Sequence, residues 1–594
     1  DHYAPDCGDA HARCDALLGL RRRAELAAAL AAALRAGQAY ALAYRAAKRT
    51  AGVVDFDDLI HAAVDLLARP GIGEWIRYKL DRRTDHLLVD EGQDTNTRQW
   101  LIIAALADEF FAEEVGAAQV HRTLFSVGDF KQAIFGFQGT DPFAFAAARD
   151  FFTRAAALGE QEVHRLSLDR SFRSTPPILA LVDGLVAQLT ADRMGLIDPP
   201  EPHRSARAAL PGTVTMWKPI SVEAGTADED VGEEGWIDDA ARDFAGRLAR
   251  QIRAWLDAPL WLAGRDRPLR PEDVLILVRK RGALASLIVA RLHSEGVPVA
   301  GVDRLRLDAP LAVKDLMAAI RFVLQPEDDL NLAALLVSPL FGFDQDDLYR
   351  VAFKRAGSLW RALLDDSGSA QAVAGLASLL QQADFATPYR FLEDILSGPL
   401  DGRRRLMRRL GLEARDPIEE LLNAALAFEG EATPTLQRFL DWFDRDEVEV
   451  TRDPSAPIDA VRVMTVHGAK GLQAPLVVLA DATGDPEASR TDVIDWVVTD
   501  DDADPVKVFR PRKSELTGTL ADALARAERR EREEHWRLLY VAATRAEEML
   551  VIGGALGPRA RGQPPRQSWY VELEQALDGL GAEWVADLLW GGAR

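Results

Sequence analysis

Short apolar runs that stop at a polar or acidic residue constrain the fold of this chain more than any other feature. Residues 87–89 lead directly to Asp90, and residues 124–127 lead to Gly128-Asp129. Short, β-branched-rich runs that alternate with helices indicate a buried parallel sheet in an α/β fold, with ligands bound at the carboxyl ends of the strands. The same pattern returns far along the chain, at 274–278, 461–464, 476–479 and 549–552.

Two other stretches follow helical spacing. Residues 16–50 are rich in Ala, Leu and Arg and predict two helices. Residues 311–455 predict a helical insertion that interrupts the second α/β lobe, because their apolar residues recur every 3.6 positions. Loop-forming residues predict loops at 196–236 and 557–566. The apolar segments of the insertion are 311–324, 329–336, 417–428 and 436–443.

The chain is acidic, with a formal charge of −22 from 71 Lys and Arg against 93 Asp and Glu. Net charge governs solubility and steering rather than fold, and a DNA groove needs only a local basic lining, so acidity does not exclude a DNA-binding protein. Two cysteines, Cys7 and Cys14, rule out a disulfide scaffold and suit a reducing cytoplasm. With His2 and His11 they leave a zinc site open, although no CxxC pair is present.

The sequence carries no run of eighteen apolar residues, so we predict no membrane span. No secretory signal opens it either. Because the first residue is Asp1 rather than Met, we expect the native protein to start upstream.

The first motif, at 86–94, reads His-Leu-Leu-Val-Asp-Glu-Gly-Gln-Asp. An apolar strand delivers two adjacent carboxylates, Asp90 and Glu91, to its carboxyl end. Mg²⁺ prefers one or two carboxylates together with phosphate oxygens, and a second carboxylate can orient or deprotonate an attacking water. An acidic strand end that caps a helix is the alternative, and this motif alone does not decide between the two.

The second motif, at 127–139, reads Val-Gly-Asp-Phe-Lys-Gln-Ala-Ile-Phe-Gly-Phe-Gln-Gly. Asp129 ends a strand, and Gln132 is a polar side chain suited to sensing a terminal phosphate. Phe135 and Phe137 flank a glycine and suit base stacking, which is worth roughly 1–3 kcal/mol per base. The alternative is burial of both rings in a core, where phenylalanine is common.

The third motif, at 166–175, places Arg173 ahead of Ser-Thr-Pro-Pro, a favourable helix start. From that position the planar guanidinium could reach a phosphate. Taken alone, this signal is weak.

The fourth motif, at 463–473, is a strand that enters a glycine-punctuated turn bearing Thr465, His467 and Lys470. Small residues permit close approach to a backbone, and hydroxyl and imidazole groups suit phosphate contacts. An ordinary strand-to-helix turn would not explain a His and a Lys among glycines.

The fifth motif, at 535–545, follows a charged helix predicted at 521–535 and ends in Thr544-Arg545. Arg545 is positioned like an arginine finger, a residue that stabilises charge on a transferred phosphoryl group. The alternative is an ordinary surface arginine.

In this order and spacing, the five motifs resemble motifs II to VI of superfamily 1 DNA helicases of the UvrD, PcrA and RecB type. The resemblance covers about residues 40–555 and is specific, because chance recurrence of all five motifs in order is negligible. Segments 56–60 and 274–299 add to this match. Four further segments are similar to the AddA-type subunits of double-strand-break repair, namely 310–317, 325–330, 338–342 and 465–475.

The resemblance implies an α/β fold with two RecA-like P-loop lobes, each a parallel sheet flanked by helices, and with helical insertion domains. The implied boundaries are 1–52 for a helical segment of the first lobe's insertion, 53–165 for the rest of that lobe, 166–310 and 456–556 for the two parts of the second lobe, 311–455 for the helical insertion, and 557–594 for a linker or tail.

The resemblance also implies an ATP-dependent 3′-to-5′ DNA helicase or translocase that acts in double-strand-break repair and recombination. ATP and Mg²⁺ would be its cofactors, single-stranded DNA and double-stranded DNA ends its substrates, and an AddB-type subunit its partner, in the cytoplasm and without a membrane. Asp90 would hold Mg²⁺, and Glu91 would be the catalytic base. The other implied contacts are Gln132, Arg173, Lys470 and Arg545 to the γ-phosphate, Asp129 and Gln473 at the nucleotide, Phe135 and Phe137 to bases, and Thr465 and His467 to the DNA backbone.

The chain departs from the family pattern in four respects. Gln473 replaces the Glu that contacts the nucleotide sugar, and Gln138 replaces the usual Arg. No GxxxxGK[ST] loop, which cradles the β-phosphate, occurs in the sequence. Only about forty residues follow Ile552, too few for a nuclease domain.

We therefore expect a chain trimmed at both ends, which binds ATP poorly and hydrolyses it negligibly, from an active full-length parent. The alternative is a catalytically inactive, helicase-like subunit that binds DNA or serves as a scaffold. The intact acidic, amide and arginine side chains of the five motifs argue against decay of the site.

Overall fold

The computed structural model divides the chain into two compact units. The larger unit comprises Asp1–Ile288 and Met464–Arg594, and the smaller unit is Val289–Val463. The residues that the structure describes are 5–111, 122–221, 239–300, 304–411, 414–445, 449–451, 459–488, 492–498, 505–512, 515–516, 518–557, 560 and 562–593.

The helices and strands carry labels in chain order. The helices are α1 Pro5–Ala51, α2 Phe56–Ala68, α3 Ile72–Asp81, α4 Thr97–Ala107, α5 Pro142–Leu158, α6 Pro176–Arg193, α7 Asp239–Asp257, α8 Ala283–Ser294, α9 Leu311–Leu324, α10 Asp329–Val337, α11 Gln345–Ala352, α12 Leu359–Asp365, α13 Ala370–Gln382, α14 Pro388–Ser397, α15 Gly402–Leu410, α16 Arg415–Glu431, α17 Leu436–Arg445, α18 Gly518–Ala543 and α19 Trp569–Gly579. The strands are β1 His86–Val89, β2 Thr123–Ser126, β3 Arg170–Ser171, β4 Arg204–Ser205, β5 Thr213–Met216, β6 Trp261–Leu262, β7 Arg267–Pro268, β8 Val274–Val278, β9 Val299–Ala300, β10 Arg304–Arg306, β11 Glu449–Thr451, β12 Val461–Thr465, β13 Ala474–Leu479, β14 Val493–Trp496, β15 Val506–Phe509 and β16 Ala546–Ile552.

The core of the larger unit is a parallel sheet in which β5, β16, β13 and β8 are neighbours in that order. Every side chain of β8 and β13 is buried, as expected for strands covered on both faces. Helices α6, α18 and α19 contribute buried residues to the same core. The predicted α/β class is therefore confirmed, with a parallel sheet flanked by helices.

A second, smaller parallel sheet in this unit joins β1 and β2 in register, with His86 opposite Thr123 and Val89 opposite Ser126. Trp100 of α4 and Phe152 of α5 pack beneath it. The carboxyl ends of both strands lie at one edge, so the polar residues of the first two motifs come together there.

Residues 16–50, predicted as two helices, belong to the single helix α1, so that prediction is wrong. Neither Gly19 nor Gly37 interrupts it, because alanine-rich flanks keep helix propensity high. Leu26 and Leu30 pack in a cluster with the β14–β15 hairpin and α18. Gly8–Ala51 is long and apolar enough to cross a membrane by length and composition alone, a test that core helices of soluble proteins also pass.

The smaller unit is mainly helical, from α9 to α17, with the parallel pair β9–β12 and the antiparallel pair β10–β11. Its core centres on the buried rings of Phe322, Phe391 and Phe439. The unit contains the whole segment 311–455 that the sequence predicts as a helical insertion. Asp315 of α9 is buried among these apolar residues, and burial raises the pKa of its carboxyl to about 7 despite the nearby Arg409.

Residues 557–594, predicted from the sequence as a linker or tail, contain α19. Trp569 and Tyr570 are buried in the core of the larger unit. Trp590 stacks on Trp217, with ring centroids 3.9 Å apart and planes 5° apart. The Pro-, Gly- and Arg-rich start of the segment masks the apolar residues that follow, so the sequence pattern does not reveal this helix. In the loop predicted at 196–236, residues 222–236 lie outside the described residues.

Candidate functional site

The carboxyl end of β1 presents two exposed carboxylates, Asp90 and Glu91. Glu91 adopts a left-handed backbone conformation with φ of 52°, which is uncommon for a residue with a side chain. Its N–H donates to Asp90 Oδ1 over 2.9 Å. Gln93 Nε2 donates to Glu91 Oε2 over 2.5 Å, and this hydrogen bond orients the Glu91 carboxylate.

Gln93 also ties the first motif to the second. Its side chain is fully buried, and its Oε1 accepts the N–H of Asp129 over 2.9 Å. Asp129 Oδ2 in turn accepts Gln132 Nε2 over 3.0 Å. A continuous chain of hydrogen bonds therefore links Glu91 to Gln132, the residue predicted to sense a terminal phosphate. Motif spacing alone did not single out Gln93.

Lys470 lies against the same edge with its side chain only 8% exposed. Its Nζ donates to Asp94 and to the carbonyl of Gln132, the latter over 2.9 Å, and lies 3.6 Å from Glu91 Oε2. Burial raises the pKa of the Asp94 carboxyl, against the lowering effect of Lys470. Lys470 thus has two carboxylates as neighbours. No role was predicted for Asp94 from the sequence, although it is the last residue of the first motif.

Arg173 lies just before α6, which begins at Pro176 because the Pro-Pro pair fixes φ at the first turn. Its Nε donates to Gln473 Oε1 over 2.7 Å, and its Nη1 donates to the carbonyl of Thr544 over 3.1 Å. Burial lowers the pKa of Arg173, an effect that the carboxylate of Glu547 opposes. Arg173 therefore joins the third, fourth and fifth motifs.

Arg545 is only 1% exposed, which departs from the picture of a free arginine finger. Its guanidinium donates to the carbonyls of Val541 and Leu472 and to Thr544 Oγ1, at 3.0, 3.3 and 3.2 Å. Burial, followed by repulsion from Arg173, lowers its pKa to about 9. A phosphate contact by this guanidinium would require exchange of some of these hydrogen bonds.

A cluster of three rings lies on the other side of the second motif. Phe135 and Phe137 have centroids 5.9 Å apart, and His467 lies 6.2 Å and 5.5 Å from them. Phe137 is 70% exposed, whereas Phe135 packs against the core. Burial lowers the pKa of His467, an effect that a hydrogen bond with the backbone opposes. Thr465, predicted to touch a DNA backbone, is buried, and its Oγ1 accepts the N–H of Gly468 over 3.2 Å.

The structure thus brings eleven of the twelve predicted site residues into two adjoining sets, while Thr465 is turned into its own loop. One set surrounds the carboxylates of β1, and the other is the ring cluster. The residues that sequence reasoning missed join these sets through hydrogen bonds or charge, and they are Gln93, Asp94, Glu534, Arg537, Tyr540 and Glu547. Arg537 carried a signal, since a charge inside the apolar run 536–543 predicts a buried, paired side chain.

The acidic edge fits Mg²⁺ held jointly with phosphate oxygens. Asp90 and Glu91 supply hard oxygen ligands at an exposed strand end. Within the described part of the chain, no group of three His, Cys, Asp or Glu side chains is suited to holding a metal ion by itself. Of the possible zinc cluster, His2 lies outside the described residues.

Comparison with known proteins places this architecture in a class. Residues 21–153 match the UvrD/REP helicase N-terminal domain, and residues 416–555 match the UvrD-like helicase C-terminal domain. The chain thus carries two segments similar to the two domains of UvrD-like helicases. Over most of its length it is also similar to curated bacterial proteins named as ATP-dependent helicase/nuclease subunits of the AddA type.

Three of these relatives illustrate the extent of the similarity. The protein of Geobacillus kaustophilus is 27% identical over 559 residues, which cover 87% of this chain and 43% of the relative. That of Geobacillus thermodenitrificans is 26% identical over 550 residues, covering 85% and 42%. That of Bacillus cytotoxicus is 27% identical over 571 residues, covering 90% and 44%. The chain therefore spans less than half the length of these relatives.

Proposed function

We propose that this chain is the motor part of an ATP-dependent DNA helicase or translocase of the AddA type, moving 3′ to 5′ on single-stranded DNA during double-strand-break repair and recombination. One observation carries the proposal. The acidic end of β1, the amide of Gln132 and the guanidinium groups of Arg173 and Arg545 converge around one edge, although they come from four separate motifs.

The chemistry of this edge suits phosphoryl transfer to water. Glu91 orients the attacking water and accepts its proton, held by the hydrogen bond from Gln93. Asp90 supplies the carboxylate for Mg²⁺, which when bound neutralises charge on the phosphate oxygens. Arg173 and Arg545 are adjacent, and burial lowers the pKa of both. An anion placed between the two guanidinium groups would therefore stabilise their charged forms.

The roles of the other residues follow from their positions. Gln132 reads the terminal phosphate, with Asp129 fixing the orientation of its amide. Lys470 contacts the γ-phosphate after exchange of its bond to Asp94, and Gln473 contacts the nucleotide sugar after exchange of its bond to Arg173. These exchanges are consistent with a site that rearranges between nucleotide states.

The ring cluster supplies the surface for single-stranded DNA. Phe137 and Phe135 stack on bases, and His467 approaches the sugar-phosphate backbone. We propose double-stranded ends as the site of loading, a protein of the AddB type as the partner and the cytoplasm as the location. The names of the relatives, which describe each of them as one subunit of a helicase/nuclease, support the partner.

The experiment compares two proteins in a single-strand-stimulated ATPase assay. One is the chain itself, and the other is extended upstream in the same reading frame to include a GxxxxGK[ST] loop. We expect turnover only in the extended protein, and loss of turnover with Glu91→Gln. Tracking the displaced strand on substrates with a 3′ or a 5′ tail tests the polarity.

Two results would contradict this proposal. An extended protein that binds single-stranded DNA but hydrolyses no ATP would favour the DNA-binding scaffold over the motor. A Glu91→Gln variant with unchanged turnover would remove Glu91 from the role of catalytic base.

A further inference from the structure

Helix α18 contacts the loop that carries Phe135 and Phe137 at two points. Arg537 of α18 is buried, and its Nε donates to the carbonyl of Ala133 over 2.7 Å. Its Nη1 donates to the carbonyl of Met194 over 2.7 Å, so the guanidinium is committed to backbone oxygens. The base of the loop is therefore fixed to the helix through one arginine.

Glu534, one turn earlier on α18, contacts the tip of the same loop. Its Oε2 lies against Gly136, the residue between the two phenylalanines. A Cβ at position 136 would overlap Glu534 Oε2, so glycine is required for the carboxylate to come this close. The helix thus binds the loop at Ala133 and again at Gly136.

We propose that Glu534 is a positioning residue that orients the Phe135–Phe137 loop for stacking on single-stranded DNA through the close contact of its carboxylate with Gly136. The inference rests on the proposed DNA-binding role of that loop and adds a residue outside it. A loop with the exposed Phe137 at its tip would otherwise sample several orientations, and ordering it on binding would weaken affinity.

Glu533 provides a matched control on the same helix. Its carboxylate lies beside Gly195 and near Arg537, rather than beside the phenylalanine loop. Both glutamates act electrostatically on Arg537. A role that consisted only of balancing the charge of Arg537 would therefore be shared by the two residues, whereas the contact with Gly136 belongs to Glu534 rather than to Glu533.

The test measures binding of fluorescein-labelled oligo(dT) by anisotropy, for the full chain and its variants. We expect Glu534→Ala to weaken binding roughly tenfold, because the loop loses the contact that holds its tip and must then be ordered when DNA binds. Glu534→Gln retains a side chain of the same size and reach and should recover most of the affinity. Gly136→Ala should weaken binding like Glu534→Ala, and Glu533→Gln should bind like the wild type.

A second readout reports on stacking itself. An oligonucleotide that contains 2-aminopurine loses fluorescence when its base stacks on an aromatic ring, and this quenching should fall in Glu534→Ala and be restored in Glu534→Gln. Thermal unfolding followed by circular dichroism separates a folding defect from a binding defect.

The outcomes distinguish the two proposals. A wild-type chain that does not bind oligo(dT) would overturn the DNA-binding role and this inference with it. A wild-type chain that binds, together with a Glu534→Ala variant of equal affinity and quenching, would overturn the positioning role alone. Equal losses in Glu534→Gln and Glu533→Gln would also overturn it, in favour of simple charge balance around Arg537.

Discussion

Removal of the exposed ring of Phe137 should weaken DNA binding without unfolding the protein. The side chain is 70% exposed, so only about 60 Å² of a phenylalanine surface of roughly 200 Å² is withdrawn from water. At about 25 cal/mol per Å², its truncation costs at most ~1.5 kcal/mol of folding free energy. A fully buried phenylalanine would cost about 3–5 kcal/mol.

The expected loss in binding is larger than this loss in stability. One stacked base contributes roughly 1–3 kcal/mol, which corresponds to a five- to 150-fold increase in Kd for Phe137→Ala. Phe385 of the smaller unit is a suitable control, because it is 89% exposed and lies outside the ring cluster. Phe385→Ala should therefore leave Kd unchanged.

Anisotropy titrations of labelled oligo(dT) at fixed salt measure both effects, with urea unfolding in parallel. The reasoning is refuted if Phe137→Ala binds as tightly as the wild type, or if Phe385→Ala weakens binding to the same degree. A loss of binding accompanied by a large loss of stability would show that the ring is structural.

Three further predictions concern stability, and urea unfolding tests each of them. The folded-state pKa of Asp315, about 7, is raised above the unfolded value of 3.8, so the stability that it contributes is complete below about pH 4 and is lost as pH rises through 7. Asp315→Asn should abolish up to ~4 kcal/mol of this pH-dependent loss, and a mutation that changes the unfolding free energy equally at pH 5 and pH 8 would contradict the prediction. Lys470→Met leaves the Asp94 carboxylate without its cation and should lower the free energy of unfolding by about 3 kcal/mol. Adding Asp94→Asn to the same chain should restore part of this loss, and a double variant whose loss equals the sum of the two single losses would argue against the pairing. Trp590→Ala should cost about 3–5 kcal/mol because the ring is buried against Trp217, and an unchanged midpoint would mean that the C-terminal segment is not part of the fold.

The buried strands were the most predictable part of the fold. Residues 274–278 and 476–479 are continuous apolar runs, and both form central strands of the parallel sheet. Such runs are easy to recognise in a sequence, because a strand covered on both faces is almost entirely apolar. The helix boundaries were less predictable, since α18 runs from Gly518 to Ala543, whereas the charged helix was predicted to end at residue 535.

The pairings within the site could not be predicted, because they join residues far apart in the sequence. Arg173 and Gln473 are 300 positions apart, and Lys470 and Asp94 are 376 apart. Periodicity reports which face of an element is apolar and carries no information on which side chains meet across a fold. The motif resemblance identified the predicted site residues, and the structure identified partners such as Gln93 and Glu534, to which the motifs assigned no role.

The anchoring of the phenylalanine loop by α18 has a consequence for the order of events during synthesis. Ala133 and Arg537 are separated by 404 residues, so the loop leaves the ribosome long before the helix that holds it. At translation rates of about 5–20 residues per second, this interval lasts roughly 20–80 s. Throughout that time the loop lacks its hydrogen bond to Arg537, and the surface proposed for single-stranded DNA is completed only when α18 has been made.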